Sequence, residues 1–253
     1  MEGYDASTYG DRIAPIYDDL YTEMFDIDAT VECLEHLAGR RRALELAIGT
    51  GRVALPLAQR GVEVVGIDAS EEMIERLRAK PGGGDIEVVM GDFVDVGADG
   101  PFELVYVVFN TLFALQSQSD QVRCFANVAG VLDERGVFVI EAFVPDPSRF
   151  GRHQRVSSDS VGVDSVRLEV SRHDPVAQKV ASQQIIMREG SIAMYPVSIR
   201  YAYPPELDLM ARLAGLELRN RWGGWREEPF TSDSRVHVSV YQRATERESY
   251  GLR

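Results

Sequence analysis

The sequence predicts an α/β fold: a parallel sheet covered by helices on both faces, with an antiparallel β insertion after the fifth strand. Three observations predict it. Between residues 43 and 143, short apolar runs alternate with segments of helical periodicity, which is the pattern of βαβ crossovers. A glycine-rich turn, Ile48-Gly49-Thr50-Gly51, joins the first apolar run to the helical segment after it. From about residue 155 the pattern changes to strands separated by turn signals, as in antiparallel hairpins.

The elements follow in order. Residues 11–38 read as largely helical, since Ile13, Ile16, Tyr17, Leu20 and Tyr21 follow i, i+3, i+4, i+7 spacing and Val31, Leu34 and Leu37 form a second apolar set. Residues 43–47 read as a short buried strand, and 52–60 as a helix with Gly61 at its C′ position. Val62 to Ile67 gives the second strand. Ser70 then caps a helix whose first-turn glutamates, Glu71 and Glu72, suit the helix dipole. Asp85 to Met90, Phe102 to Phe109 and Gly136 to Phe143 give three more strands, with a helix over 118–131. Three insertion strands are expected, at 166–170, 180–187 and 192–203, with turns at Asp174-Pro175 and Glu189-Gly190. A helix from about 205 to 214, ended by Gly215, precedes two last strands at 216–222 and 237–242. The expected division is an N-terminal helical cap (1–38), a cofactor-binding α/β domain (39–150 and 204–245) and the insertion (151–203) as a substrate or dimer region.

Composition narrows the function. The 253 residues are 45% hydrophobic and 26% charged, which suits a globular chain with a substantial core. A net charge of −13 argues against a nucleic-acid partner, whose phosphates must be neutralised by basic side chains. No window approaches the roughly 18 to 20 apolar residues that span a bilayer, and the N-terminus lacks a signal-peptide pattern, so the expected location is cytoplasmic. The two cysteines, Cys33 and Cys124, have neither metal-ligand spacing nor a disulfide framework, and no metal is expected.

The chemistry centres on Glu45 to Asp92. Glycines at 49 and 51 let a bulky cofactor approach the backbone closely. Asp68 ends the second strand, seventeen residues after Gly51, where a carboxylate can accept hydrogen bonds from both ribose hydroxyls of an adenosine moiety. Gly91-Asp92-Phe93 ends the third strand, with Asp92 placed to reach an adenine amino group and Phe93 to cover the ring. Glu45 precedes the glycines. An anion there repels a pyrophosphate and welcomes a sulfonium and an ammonium, which separates S-adenosylmethionine from NAD.

These segments resemble the class I S-adenosylmethionine-dependent methyltransferases. Glu-Leu-Ala-Ile-Gly-Thr-Gly, Val-Val-Gly-Ile-Asp-Ala-Ser and Met-Gly-Asp-Phe match the family's cofactor motifs in order and spacing over roughly residues 40–143. The resemblance implies a Rossmann-like sheet and S-adenosyl-L-methionine as cofactor. It implies cofactor contacts from Tyr17, Glu45, Ala47, Gly49, Gly51, Asp68, Ala69, Met73, Gly91, Asp92, Phe93 and Phe109. Ala47 stands where the commonest form of the motif has Gly, which predicts tighter packing and not loss of binding. The insertion and the N-terminal segment, with Tyr9, Tyr17 and Tyr21, resemble the methyltransferases that N-methylate nucleotide-linked amino sugars. There such a segment caps the cofactor and edges the substrate pocket, so Tyr9 and Tyr21 are substrate-binding candidates.

Other candidates come from position. Asn110 follows the fourth strand at the carboxyl edge, where ligands bind in open α/β sheets, and Glu141 sits near the same edge. Each has two readings: Asn110 orients an acceptor or satisfies a loop, and Glu141 holds an ammonium or makes a structural hydrogen bond. Arg149, Arg152 and Arg155, with His153, form a basic cluster that either clamps a phosphate or carboxylate or is simply solvated. His153 is the best-placed general base of the four histidines; His173 and His237 lie in strands and read as structural.

The expected reaction is therefore methyl transfer to a small molecule, led by N-methylation of a nucleotide-linked amino sugar in natural-product (antibiotic) biosynthesis. An O- or C-methyltransferase is the second reading. A non-catalytic cofactor-binding protein or a dinucleotide oxidoreductase is the third. The expected partners are a small-molecule acceptor and a second copy of the chain in a homodimer, with neither nucleic acid nor membrane.

Overall fold

The computed structural model describes residues 1–21, 25–39 and 41–245. Thr22, Glu23 and Met24, inside the segment expected to be helical, lie outside the described residues. Seven strands build the main sheet: β1 (Arg42–Leu46), β2 (Glu63–Asp68), β3 (Glu87–Met90), β4 (Phe102–Val107), β5 (Leu132–Phe143), β10 (Leu216–Trp222) and β11 (Val236–Arg243). Their order is β10-β11-β5-β4-β1-β2-β3. β1 to β5 pair in parallel, and β11 runs antiparallel between β5 and β10. Four strands form a second, antiparallel sheet: β6 (Gln154–Val161), β7 (Ser165–Asp174), β8 (Lys179–Arg188) and β9 (Ser191–Arg200).

The apolar pattern explains the layers. In β1, Ala43, Leu44, Glu45 and Leu46 are all buried, as a strand covered on both faces requires. Leu44 and Leu46 pack with Phe125, Phe138 and Leu207 on one face. Ala43 packs with Val31, Leu34, Leu57 and Val139 on the other. α3 (Ile27–Ala38) and α4 (Ala54–Gln59) therefore cover the second face, and α6 (Gln118–Val131) and α7 (Pro204–Leu213) the first. α5 (Glu71–Arg78) starts at Ser70, whose hydroxyl accepts the Met73 N–H.

The structure departs from the sequence reading in three places. The N-terminal segment is broken: α1 (Thr8–Ile13), a 3₁₀ turn at Ala14–Ile16, α2 (Tyr17–Tyr21) and then α3. Pro15 accounts for the first break, because it lacks an N–H for a continuing helix. β5 begins at Leu132, directly after α6, and not at Gly136. The insertion has four strands where three were expected. The missed strand, β6, has the sequence Gln-Arg-Val-Ser-Ser-Asp-Ser-Val, whose serines hide any apolar alternation. It is held by its pairing with β7, with a bulge between Ser158 and Ser160.

Candidate active site

The site is built around the turn between β1 and α4. Ala47 has φ +58°, Gly49 φ +56° and Gly51 φ +77°. Gly49 has open space where a Cβ would stand, whereas a Cβ on Gly51 would run into the Leu77 and Leu55 side chains. The turn therefore opens to a ligand at Gly49 and packs tightly at Gly51. Ala47, the departure from the usual glycine, has kept the left-handed backbone that glycine adopts without cost.

Two carboxylates flank the turn. Glu45 is 3% exposed, and its Oε2 accepts the Tyr106 hydroxyl at 3.0 Å. Burial pushes its pKa up to about 8, against the pull of the Tyr106 hydrogen bond and the nearby Arg52 charge. Asp68 accepts the Gly49 N–H on Oδ2 at 2.7 Å and the Ser70 N–H on Oδ1 at 2.9 Å, so it fixes the turn to the end of β2. Its pKa is also raised by burial, with these backbone bonds acting in the opposite direction. At the end of β3, Gly91 has φ +158°. Asp92 accepts the Val94 N–H at 3.0 Å, while Phe93 packs into the core beside Val94 and Val96.

The N-terminal helices close over this turn. The Ser70 hydroxyl donates to Asp11 at 2.6 Å, and a Cβ on Gly10 would sit 2.5 Å from the Ser70 Cβ, so α1 lies directly on the start of α5. Met73 packs there with Ile13 and Ala14. The Thr50 hydroxyl donates to Asp18 at 2.6 Å, and Lys80 pairs with Asp18 at 2.7 Å. Thr50, Arg52, Lys80, Asp11 and Asp18 are site residues that the sequence reading did not single out. Only the position of Arg52, next after the glycine turn, could have signalled it.

Arg52 is the centre of an aromatic cage. Its guanidinium carbon lies 3.9 Å from the Phe109 ring centroid, 4.7 Å from Phe25, 5.0 Å from Tyr17 and 5.7 Å from Tyr21. It donates to the Tyr17 hydroxyl at 2.9 Å and the Tyr21 carbonyl at 3.2 Å, yet its buried Nε has no partner. The Tyr9 and Tyr21 hydroxyls are 3.1 Å apart, and Tyr21 lies 3.4 Å from the side-chain amide of Gln184 on β8. Burial raises the Tyr9 pKa well above its usual value and that of Tyr17 to about 12. These phenols are neutral at physiological pH.

Asn110 and Glu141 meet at the carboxyl edge of β4 and β5, where both serve the backbone. Glu141 Oε2 accepts the Phe109 N–H at 2.9 Å, and Asn110 Oδ1 accepts the Phe143 N–H at 2.6 Å. Phe109 and Asn110 both have positive φ, +55° and +64°, so these bonds hold a strained turn that aims the Phe109 ring at Arg52. Burial raises the Glu141 pKa. The basic cluster lies at the entry to the insertion sheet. Arg149 and Arg152 are exposed, Arg155 is half-buried on β6, and exposed His153 has its ring 6.5 Å from His173. Both structural histidines are buried: His173 bonds the Tyr201 hydroxyl at 3.0 Å, and His237 bonds Ser239 at 2.8 Å.

A Rossmann-like sheet with a glycine turn, an acidic residue on each side of it and a helical cap defines a nucleoside-cofactor enzyme. A family model described as a methyltransferase domain matches residues 43–136. The Cypemycin N-terminal methyltransferase of a Streptomyces species is 30% identical over 249 residues, covering 94% of this chain and 99% of its own. The CcbJ methyltransferase from Streptomyces caelestis superposes with a TM-score of 0.87 at 38% identity, over 96% of this chain and 100% of that one. The fold is shared by CalS10, an amino pentose methyltransferase from Micromonospora echinaspora, at a TM-score of 0.69 and 20% identity over 90% and 97% of the two chains. The chain belongs to the class I S-adenosylmethionine-dependent methyltransferases.

Proposed function

We propose that the chain N-methylates a polar small molecule of natural-product biosynthesis, with a nucleotide-linked amino sugar as the first acceptor to test. The observation that supports this reading most is the chemistry of the wall beside the donor turn. Tyr9 meets Tyr21, which joins Tyr17 to Phe25 and Phe109, and burial keeps the Tyr9 and Tyr17 phenols neutral, as hydrogen-bonding groups that orient an amine. A hydroxyl acceptor needs a base to take its proton; a neutral amine already has the lone pair that attacks.

The residues present fit the cofactor. The unpartnered Nε of Arg52 suits a carboxylate, and the open space before Gly49 suits close approach of a ligand to the backbone. Arg52 would hold the methionyl carboxylate, Glu45 the ammonium, Asp68 the ribose hydroxyls through its remaining lone pairs, and Asp92 the adenine amino group. When bound, the cofactor would supply an electrophilic methyl on a sulfonium, to be taken by an unprotonated amine with S-adenosylhomocysteine as the leaving group. Around it the chain contributes position and exclusion of water. Asp11, Asp18 and Tyr17 bring the cap down on the donor turn, and Glu141 and Asn110 fix the turn that carries Phe109. Tyr9 and Tyr21 face the acceptor, and Arg149, Arg152 and Arg155 are the candidate clamp for its phosphates.

A second acceptor, the α-amino group of a peptide, is favoured by the full-length likeness to an N-terminal methyltransferase. Mass spectrometry decides between them. Nucleotide-linked amino sugars and short peptides are incubated with the enzyme and S-adenosylmethionine. A gain of one or two methyl masses on the sugars supports the first acceptor, and a gain on the peptide amine replaces it with the second. Methylation of phenols or alcohols alone overturns the N-methyl reading.

A further inference from the structure

The face of the insertion sheet that meets the helical cap carries a carboxylate with one oxygen left open. Residues directly opposite each other in neighbouring strands share a face, with Cβ atoms about 4.5–5.5 Å apart. One such row runs Ser157, Glu169, Gln184 and Tyr195 across β6 to β9, and all four are half-buried. Two of them touch the cap: Gln184 lies 3.4 Å from the Tyr21 hydroxyl, and Tyr195 packs with Ile13 and Met73. The next row on this face, towards the main sheet, is closed, since Ser171 is 1% exposed and Ser182 7%. A small molecule lying against Tyr9 and Tyr21 therefore meets the Glu169 row first. Glu169 Oε1 accepts the Ser171 hydroxyl at 2.7 Å, and no described residue bonds Oε2. Arg155 and Arg167 stand on the same face, in the rows on either side. Neither pairs with Glu169 among the described residues, and Arg167 pairs with Asp159 at 3.5 Å.

We propose that Glu169 determines specificity: its Oε2 accepts a hydrogen bond from a second donor group on the acceptor, a hydroxyl or an ammonium beside the amine that takes the methyl. This rests on the reading of the acceptor as an amino sugar, and narrows it to sugars whose amine has such a neighbour. Tyr9 and Tyr21 face the reacting amine, Gln184 lies next beyond Tyr21, and Glu169 stands one strand further. Two points of contact fix the acceptor's direction as well as its place. An ionised carboxylate accepts and cannot donate, so it welcomes a donor there and turns away a carbonyl or phosphate oxygen. A half-buried carboxylate that lacks a partner is costly, and a donor from the acceptor offsets that cost. The Ser171 hydroxyl already holds the carboxylate in position, so little side-chain freedom is lost on binding.

Steady-state kinetics on the whole protein test this with three nucleotide-linked amino sugars. They carry a hydroxyl, a second amino group or only hydrogen on the carbon next to the amine-bearing one. The native protein is expected to show a KM about tenfold lower for the first two than for the third. Glu169→Ala should remove that advantage and leave kcat within about twofold, because the bond is made equally before and during transfer. Glu169→Gln keeps an acceptor oxygen without the charge. It should restore the low KM of the hydroxyl sugar and not that of the diamino sugar, which tells the two donors apart. Native affinity for S-adenosylhomocysteine shows that the variants are folded. Equal KM values for the three sugars in the native protein overturn the inference and leave the amino-sugar reading standing. So does a Glu169→Ala variant that loses kcat on all three alike. No methyl on any of the sugar amines overturns the amino-sugar reading itself, and the inference falls with it.

Discussion

Ala47 holds φ +58° in a turn that glycine would adopt freely. A left-handed backbone costs an L-residue about 1–2 kcal/mol, part of which glycine returns through its looser unfolded chain. Ala47→Gly is therefore expected to stabilise the protein by about 0.5–1 kcal/mol, read from urea unfolding, with cofactor affinity kept. Glu45 makes the opposite trade. Its folded pKa, about 8, lies above its ordinary 4.5, so the ligand-free fold favours the protonated acid and is stabilised less as pH rises between those values. Glu45→Gln removes that loss and keeps an acceptor for Tyr106. The variant should match the native protein in acid, surpass it in ligand-free stability above pH 8, and bind S-adenosylmethionine at least about tenfold more weakly, a difference of about 1.4 kcal/mol. Native affinity should rise with pH towards 8 as Glu45 ionises; calorimetry across pH that finds it flat removes Glu45 from the ammonium's partners.

At the level of elements, the helical cap governs access to the donor turn. α1 rests on α5 at Gly10 and Ser70, where a methyl group has no room. Gly10→Ala should lift this contact at about 1–3 kcal/mol, and S-adenosylhomocysteine should leave about tenfold faster or more in stopped-flow displacement. The elements most legible in the sequence were those with local signals. Ser70 as a cap, Gly61 after α4 and the 118–131 helix need only near neighbours to be read. β6 has no such signal, and Arg52 has only its place next after the glycine turn. One is a serine-rich strand that exists through its partner β7, and the other gains its cage from Tyr17, Tyr21 and Phe25, more than twenty-five residues away in the chain. Asn110 and Glu141 were located correctly at the strand edge, but a one-residue reading does not show that each is bonded to the other's strand.

For the whole molecule, two buried groups set opposite slopes of stability with pH. His237 has its pKa lowered to about 4 by burial, so its contribution is present above the ordinary 6.5 and is lost as pH falls towards 4. Between 4.5 and 6.5 this gain with rising pH offsets the loss from Glu45; from 6.5 to 8 only the Glu45 loss remains. Melting of the ligand-free protein should therefore fall from pH 6.5 to 8, and saturating S-adenosylmethionine should flatten the decline. A melting temperature that rises over that interval would count against the Glu45 assignment. The chain leaves the main sheet after Phe143 and rejoins it at Leu216, once α7 has packed back on its face, while β5 continues its ladder with β11 undisturbed. The donor-binding half can thus stay constant through evolution while the excursion is lengthened, traded or rewritten. One scaffold of this kind can give rise to a lineage of enzymes that share a reagent and differ in what they modify.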